Sequence, residues 1–105
     1  MSETPLLDTL ADMTAVSLER AGLVDREVML VRIAALAAVG APPASYLLNL
    51  GAAAEIGLTL EDVQGVLIAV APVTGGPKVV AASGAIFKAL GFAIDVLDAA
   101  DDDTE

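Results

Sequence analysis

Few side chains of this chain could do chemistry. The sequence contains no cysteine and no histidine, which removes thiol redox chemistry, the Ser-His-Asp triad and the usual zinc ligand sets. What remains is the carboxylate of Glu27, the single tyrosine Tyr46, the amide of Asn49 and the guanidinium of Arg32. A carboxylate and a phenol can act in acid–base catalysis, and an amide or a guanidinium can bind a small polar group.

Each of these residues also has a structural interpretation, which we favour. Glu27 falls in the first turn of a predicted helix, where the helix dipole stabilises a carboxylate. Tyr46 is expected in the core with its hydroxyl at a polar edge, and Asn49 can bond a backbone group. Arg32 interrupts an apolar segment, so we expect an ion pair, with Glu55 as the candidate partner and Glu27 or a neighbouring subunit as the others; the alternative is an anion-binding role.

The turn Gly75-Gly76-Pro77-Lys78 invites comparison with a phosphate-binding loop. It lacks the G-x-x-x-x-G-K-[ST] spacing that such a loop needs to cradle phosphates. We therefore interpret it as a turn that leads into a helix.

The positions of prolines, glycines and apolar residues predict an all-α fold, because no segment alternates with period two. We see no internal repeat and no linker. Pro42-Pro43 divides the longest uncharged stretch, residues 33–54, into two helices that meet at a corner. Caps and breakers give these helices: Pro5 to Ala21-Gly22, Arg26 to Val39 after an Asp25 cap, Pro43 to Ile56, Thr59 (with Asp62) to Pro72, and Lys78 to Leu90, followed by a break at Gly91 and a short helix through Leu97.

Composition limits the possible partners. Fifteen acidic residues against five basic ones give a net charge of −10, which argues against nucleic acid and anionic membranes. No secretory signal is visible and the uncharged stretch is a poor membrane span, so we expect a cytoplasmic protein with one domain over residues 1–98 and a solvated acidic tail over residues 99–105. Because 56% of a 10.5 kDa chain is apolar, we expect part of that surface to be buried between subunits.

The stretch "LVDREVMLVRIAALAAVGAPPASYLLNLGAAAEIGLTLEDV" followed by "GGP" resembles the carboxymuconolactone decarboxylase and alkylhydroperoxidase D superfamily. The shared features are an Arg-Glu pair that opens an apolar helix, a glycine at its end, an A-x-x-x-G-x-T-x-E-[DE]-[IV] pattern over residues 53–63, and the Gly-Gly-Pro turn. The resemblance covers residues 23–90, about two-thirds of the chain.

This resemblance implies a helical fold and ring-like homo-oligomers, commonly trimers or hexamers. It also implies that Glu27 matches the proton-relay glutamate of the hydroperoxidase branch. That branch carries Cys-x-x-Cys-x-x-x-His directly after the glycine, so its two cysteines match Ala41 and Ala44 and its histidine matches Leu48. All three redox groups are absent here, and the histidine of the decarboxylase branch is absent too.

Two functions are therefore predicted. We favour a redox-inactive family member that needs no cofactor and no metal, and that acts as an oligomeric binding or scaffold protein. Its apolar pocket would lie where the hydroperoxidase branch has its redox site and would be lined by the six residues named below. Its ligand would be a small apolar or acidic molecule. The alternative is an enzyme that uses Glu27, with Tyr46 as a helper, for acid–base chemistry on a small acid or lactone. The pocket set is Glu27, Ala41, Ala44, Tyr46, Leu48 and Asn49.

Overall fold

The computed structural model of the chain contains five α-helices and, over the residues it describes, no strand. It describes the backbone of residues 3–103 and the side chains of residues 3–91. The all-α prediction is confirmed. In chain order the helices are α1 Pro5–Arg20, α2 Asp25–Val39, α3 Pro43–Glu55, α4 Leu60–Thr74 and α5 Gly76–Asp103.

Helices α2 to α5 enclose one apolar core, in which α2 and α5 each contact the other three helices. Helices α2 and α4 lie side by side with their N-termini at the same end, where Arg26 bonds Asp62. Ile33 and Tyr46 are the largest fully buried side chains among the described residues. The core cluster comprises Val28, Met29, Ile33, Ala37, Tyr46, Ala53, Val63, Leu67, Ala82, Ile86 and Ala89.

Several helix boundaries differ from the prediction, and three of the differences have a clear physical reason. Helix α2 begins at Asp25, one residue earlier than predicted, so Val24 and not Asp25 is its N-cap. The Val24 N–H donates a hydrogen bond to the Glu27 carboxylate at 3.2 Å. Helix α4 continues past Pro72 to Thr74, since a proline in the last turn removes only one internal bond and Gly75 supplies the positive φ that ends the helix.

The third difference concerns Gly91. The prediction of a break there and of a separate short helix is wrong, because α5 runs without interruption to Asp103. A single glycine inside a helix costs only ~1 kcal/mol relative to alanine, and no proline follows it. The predicted acidic tail therefore begins inside α5, while residues 104 and 105 lie outside the described part of the chain.

The structure also shows a correspondence that the sequence analysis missed. Helices α2 and α4 each have an acidic residue at the third helical position that accepts a hydrogen bond from the N-cap N–H, namely Glu27 and Asp62. Each helix ends at a glycine with positive φ, Gly40 or Gly75. In both cases a proline follows the glycine two residues later. The spacing from Glu27 to Gly40 is the same as the spacing from Asp62 to Gly75. Helices α2–α3 and α4–α5 are thus two similar helix pairs.

Candidate functional site

The corner between α2 and α3 is built by local hydrogen bonds. Gly40 has φ 71°, a left-handed conformation that glycine adopts without strain. The Ala41 N–H donates to the Leu36 carbonyl at 3.0 Å and the Gly40 N–H to the Ala37 carbonyl at 3.3 Å, so these two carbonyls in the last turn of α2 are satisfied. Pro43 then starts α3 with its fixed φ.

The positions that match the redox residues do not share one environment. Ala41 is half-buried against the core, whereas Ala44 and Leu48 are exposed, Leu48 by 81%. Ala44 and Leu48 lie one turn apart on a stripe of α3 that continues through Ala52 to Glu55, and each of these four residues is exposed. The corner between α2 and α3 therefore presents an apolar surface to solvent.

A cleft of about 330 Å³ opens beside this corner, between α3 and α5. We call it the α3–α5 cleft. Its lining is apolar except for the ammonium-bearing side chain of Lys88, which is exposed. The lining residues are Pro43, Ala44, Leu47, Lys88 and Ala89.

Tyr46 does not line this cleft. It is fully buried, and its hydroxyl has no hydrogen-bond partner among the residues that the structure describes. Burial raises the pKa of the phenol above its ordinary value, because the charged form loses its hydration. The core position is as predicted, but the hydroxyl lies inside the core rather than at a polar edge.

Asn49 and Glu27 each have a local structural contact. The Asn49 Nδ2 donates to the Ser45 carbonyl one turn earlier at 2.9 Å. Glu27 is exposed at the N-terminal end of α2, which the helical rise places about 18 Å along the axis from Val39 at the other end. Glu27 is also absent from the residues that line the α3–α5 cleft.

Arg32 does not pair with Glu55 in the described part of the chain. Its Nη2 instead donates to the carbonyl of Thr14 in α1 at 3.2 Å. The ion pair that does form is one the sequence analysis did not predict: Arg26 Nη2 lies 2.9 Å from Asp62 Oδ1. A second guanidinium nitrogen, Nη1, donates to Oδ2 of the same carboxylate at 3.3 Å.

Asp62 is the most strongly perturbed carboxyl group among the described residues. Hydrogen bonds from Arg26, and then from the Thr59 backbone, lower its pKa from 3.8 to about 2. The Thr59 hydroxyl in turn accepts from the Asp62 N–H at 3.1 Å, which confirms the predicted capping box. The charge of Asp62 is therefore used to start α4 and to hold α2 beside it.

Lys78 has a structural contact as well. Its Nζ donates to the Ala38 carbonyl in the last turn of α2 at 2.8 Å, where a cation is favoured by the helix dipole. This contact supports the interpretation of Gly75-Gly76-Pro77-Lys78 as a turn into a helix.

A second, larger groove of about 460 Å³ lies between α2 and α4. We call it the α2–α4 groove. Small residues occur along it, and the Arg26–Asp62 ion pair belongs to its lining. Neither the groove nor the α3–α5 cleft could be located from the sequence, because each is formed by residues of two helices that are far apart in the chain.

Comparison with known proteins identifies the class of protein. The sequence model of the Carboxymuconolactone decarboxylase family matches residues 5–88. The chain belongs to this family, as the resemblance indicated. No curated protein and no solved structure gave a match to the chain.

Two further findings concern the described residues. No helix among them is long and apolar enough to cross a membrane. No group of three or more acidic, cysteine or histidine residues among them could hold a metal ion.

Proposed function

We propose that this protein is a redox-inactive member of the carboxymuconolactone decarboxylase family that binds a small molecule as a homo-oligomer. The observation that carries the proposal is the apolar α3–α5 cleft, whose lining includes Ala44, the position that matches the second cysteine of the hydroperoxidase branch. The site keeps a cleft of ligand size. Apart from the amine of the exposed Lys88, its lining has no side chain that could act as a nucleophile or a base.

The lining of the cleft suggests the class of ligand. Pro43, Leu47 and Ala89 offer apolar contact, and Lys88 offers one positive charge. A short carboxylic acid with an apolar body meets both features, since its chain removes apolar surface from water and its carboxylate can pair with the ammonium.

The homo-oligomer is supported by the surface of the single chain. Large apolar side chains of the described residues are exposed, among them Leu48, Val73 and Phe87, which are 81%, 88% and 71% exposed. Packing between subunits would remove such apolar surface from water. A ring such as a trimer or a hexamer gives each subunit two interfaces.

The acid–base enzyme remains the weaker alternative. Glu27 bonds the Val24 N–H at the end of α2 that lies away from the corner, and Tyr46 is buried outside the cleft lining. Lys88 is the one titratable side chain that lines the cleft. General acid–base chemistry normally needs two positioned groups near one substrate.

Binding of octanoate, compared with 1-octanol, tests the ligand class. We expect saturable binding of octanoate by equilibrium dialysis or by ligand-observed NMR. Ala44→Trp should abolish it by filling the cleft, and Ala52→Trp on the exposed stripe of α3 is the matched control. Lys88→Met should weaken octanoate binding by up to about fivefold, as expected for an exposed ion pair, and leave octanol binding unchanged.

Equal binding of octanoate by the Ala44→Trp and Ala52→Trp variants would refute the cleft as the site. The redox prediction has its own test. We expect no turnover of an organic hydroperoxide with a dithiol reductant above the buffer blank, and turnover that is lost in Glu27→Gln would overturn the redox-inactive assignment.

A further inference from the structure

Helix α1 has an apolar stripe that nothing covers among the described residues. The stripe consists of Leu6, Leu10 and Met13, which are 69%, 47% and 62% exposed. At 100° per residue these three side chains lie on one side of the helix. The acidic residues Asp8, Asp12 and Glu19 lie on the opposite side. No residue of α1 is buried.

The α2–α4 groove is the complementary surface. Ala34, Gly65 and Ala69 leave space along it, with Leu30 and Val66 beside them. At Gly65 no atom lies within 4 Å of the position that a Cβ would take. A groove of small residues admits the large side chains of a neighbouring helix, in the manner of ridges that pack into grooves.

The α1 of the same chain is held away from this groove. Its Thr14 carbonyl accepts a hydrogen bond from Arg32, and Leu18 packs against the core cluster. Arg32 projects from the side of α2 that is roughly opposite to Leu30 and Ala34, by about 160° around the helix. Thr14 and Leu18 also lie about a quarter-turn from the stripe, so this attachment leaves the stripe uncovered.

We infer that the α2–α4 groove of one chain binds the Leu6–Leu10–Met13 stripe of α1 from a second copy. This inference rests on the proposed homo-oligomer and names its interface. The contact joins two different surfaces, so it is heterologous, and its repetition closes a ring at the right rotation. The acidic side of α1 stays in water, where salt screens the repulsion between chains of net charge −10.

Two variants test the interface separately. Leu10→Glu places a charge in the stripe, and Ala15→Glu places the same charge on the opposite, exposed side of α1. Gly65→Leu fills the groove, and Gly84→Leu adds the same side chain at a helical position on α5 with equally open space. By sedimentation at 100 µM we expect Leu10→Glu and Gly65→Leu to give monomers, and both controls to keep the wild-type mass.

Mixing the two disrupted variants gives the decisive result. The Leu10→Glu chain keeps an intact groove and the Gly65→Leu chain keeps an intact α1. An equimolar mixture should therefore form a one-to-one complex of twice the chain mass that grows no further. This gain cannot come from chains that fail to fold. It also cannot come from pairing of α1 with α1, which Leu10→Glu breaks on one side.

The outcomes distinguish a failure of this interface from a failure of the proposed homo-oligomer. A wild-type mass near 10.5 kDa at 100 µM would remove the homo-oligomer and the interface together. A wild-type oligomer that survives Gly65→Leu as well as Gly84→Leu would refute the groove and leave the homo-oligomer standing. Dissociated single variants that do not combine on mixing would refute the pairing of α1 with the groove.

Discussion

Replacement of Tyr46 by phenylalanine should stabilise the protein. The Tyr46 side chain is fully buried, and its hydroxyl has no hydrogen-bond partner among the described residues. A buried polar group that makes no hydrogen bond costs about 1–3 kcal/mol, because it gives up its bonds to water. Phenylalanine keeps the ring and removes this cost. We expect the free energy of unfolding to rise by about 1 kcal/mol or more, and the melting temperature by ~4–8 °C for each kcal/mol.

Thr74→Val is the matched control, since it also removes one hydroxyl. The Thr74 hydroxyl is half-buried and donates to the Val70 carbonyl at 3.2 Å, so its removal should lower stability. Urea melts of both variants at one protein concentration give the comparison, because the apparent stability of an oligomer depends on concentration.

Alkaline pH provides a second readout of the same group. Burial raises the pKa of Tyr46 in the folded chain, so the unfolded chain ionises first. The contribution of the neutral Tyr46 phenol to the free energy of unfolding is constant below about pH 10. It is lost as the pH rises from there through the higher pKa of the folded chain. The gain from Tyr46→Phe should therefore grow above about pH 10. The absorbance of tyrosinate reports this one group, since the chain has a single tyrosine.

A loss of stability in Tyr46→Phe would refute this reasoning. It would mean that the hydroxyl has a bonding partner in solution, such as a ligand or a neighbouring subunit. If that partner is a ligand, Tyr46 belongs to the binding site, as its place in the predicted pocket set implies.

Two other predictions follow from the helix ends. Because the pKa of Asp62 is lowered to about 2 in the folded chain, its contribution to stability is present above about pH 4 and lost as the pH falls towards 2. Asp62→Asn should therefore reduce the change in the free energy of unfolding between about pH 4 and about pH 2, whereas Glu61→Gln should not. Gly40→Ala should cost about 1–2 kcal/mol in urea melts, because φ is 71° there, while Gly84→Ala inside α5 should be neutral or stabilising; equal effects would contradict the structural role of Gly40.

Much of the fold could be predicted because it depends on local signals. Apolar periodicity and breakers located all five helices, and the Thr59–Asp62 capping box formed as expected. The errors arose where a breaker was treated as decisive. Pro72 lies in the last turn of α4, where it removes only one internal hydrogen bond, and Gly91 inside α5 costs only ~1 kcal/mol relative to alanine.

The site could be predicted only in part. The corner at Gly40 was located correctly because glycine and proline mark it in the sequence. Lys88 and Ala89 reach the cleft from a helix much later in the chain, and nothing in their local sequence indicates this. Arg32 was expected to bond a carboxylate, but a backbone carbonyl of α1 accepts its hydrogen bond instead. Such contacts depend on how the helices pack, which the sequence pattern does not specify.

The two helix pairs bear on the meaning of Glu27. Asp62 occupies the corresponding position in α4, and both carboxylates accept a hydrogen bond from the N–H of the residue that precedes their helix. Asp62 is not part of the α3–α5 cleft lining and has a structural task, the start of α4. A carboxylate at this position is therefore useful to the fold without any chemistry. The same task accounts for Glu27, so its presence is not by itself a reason to expect a proton relay when the thiols and the histidine are gone.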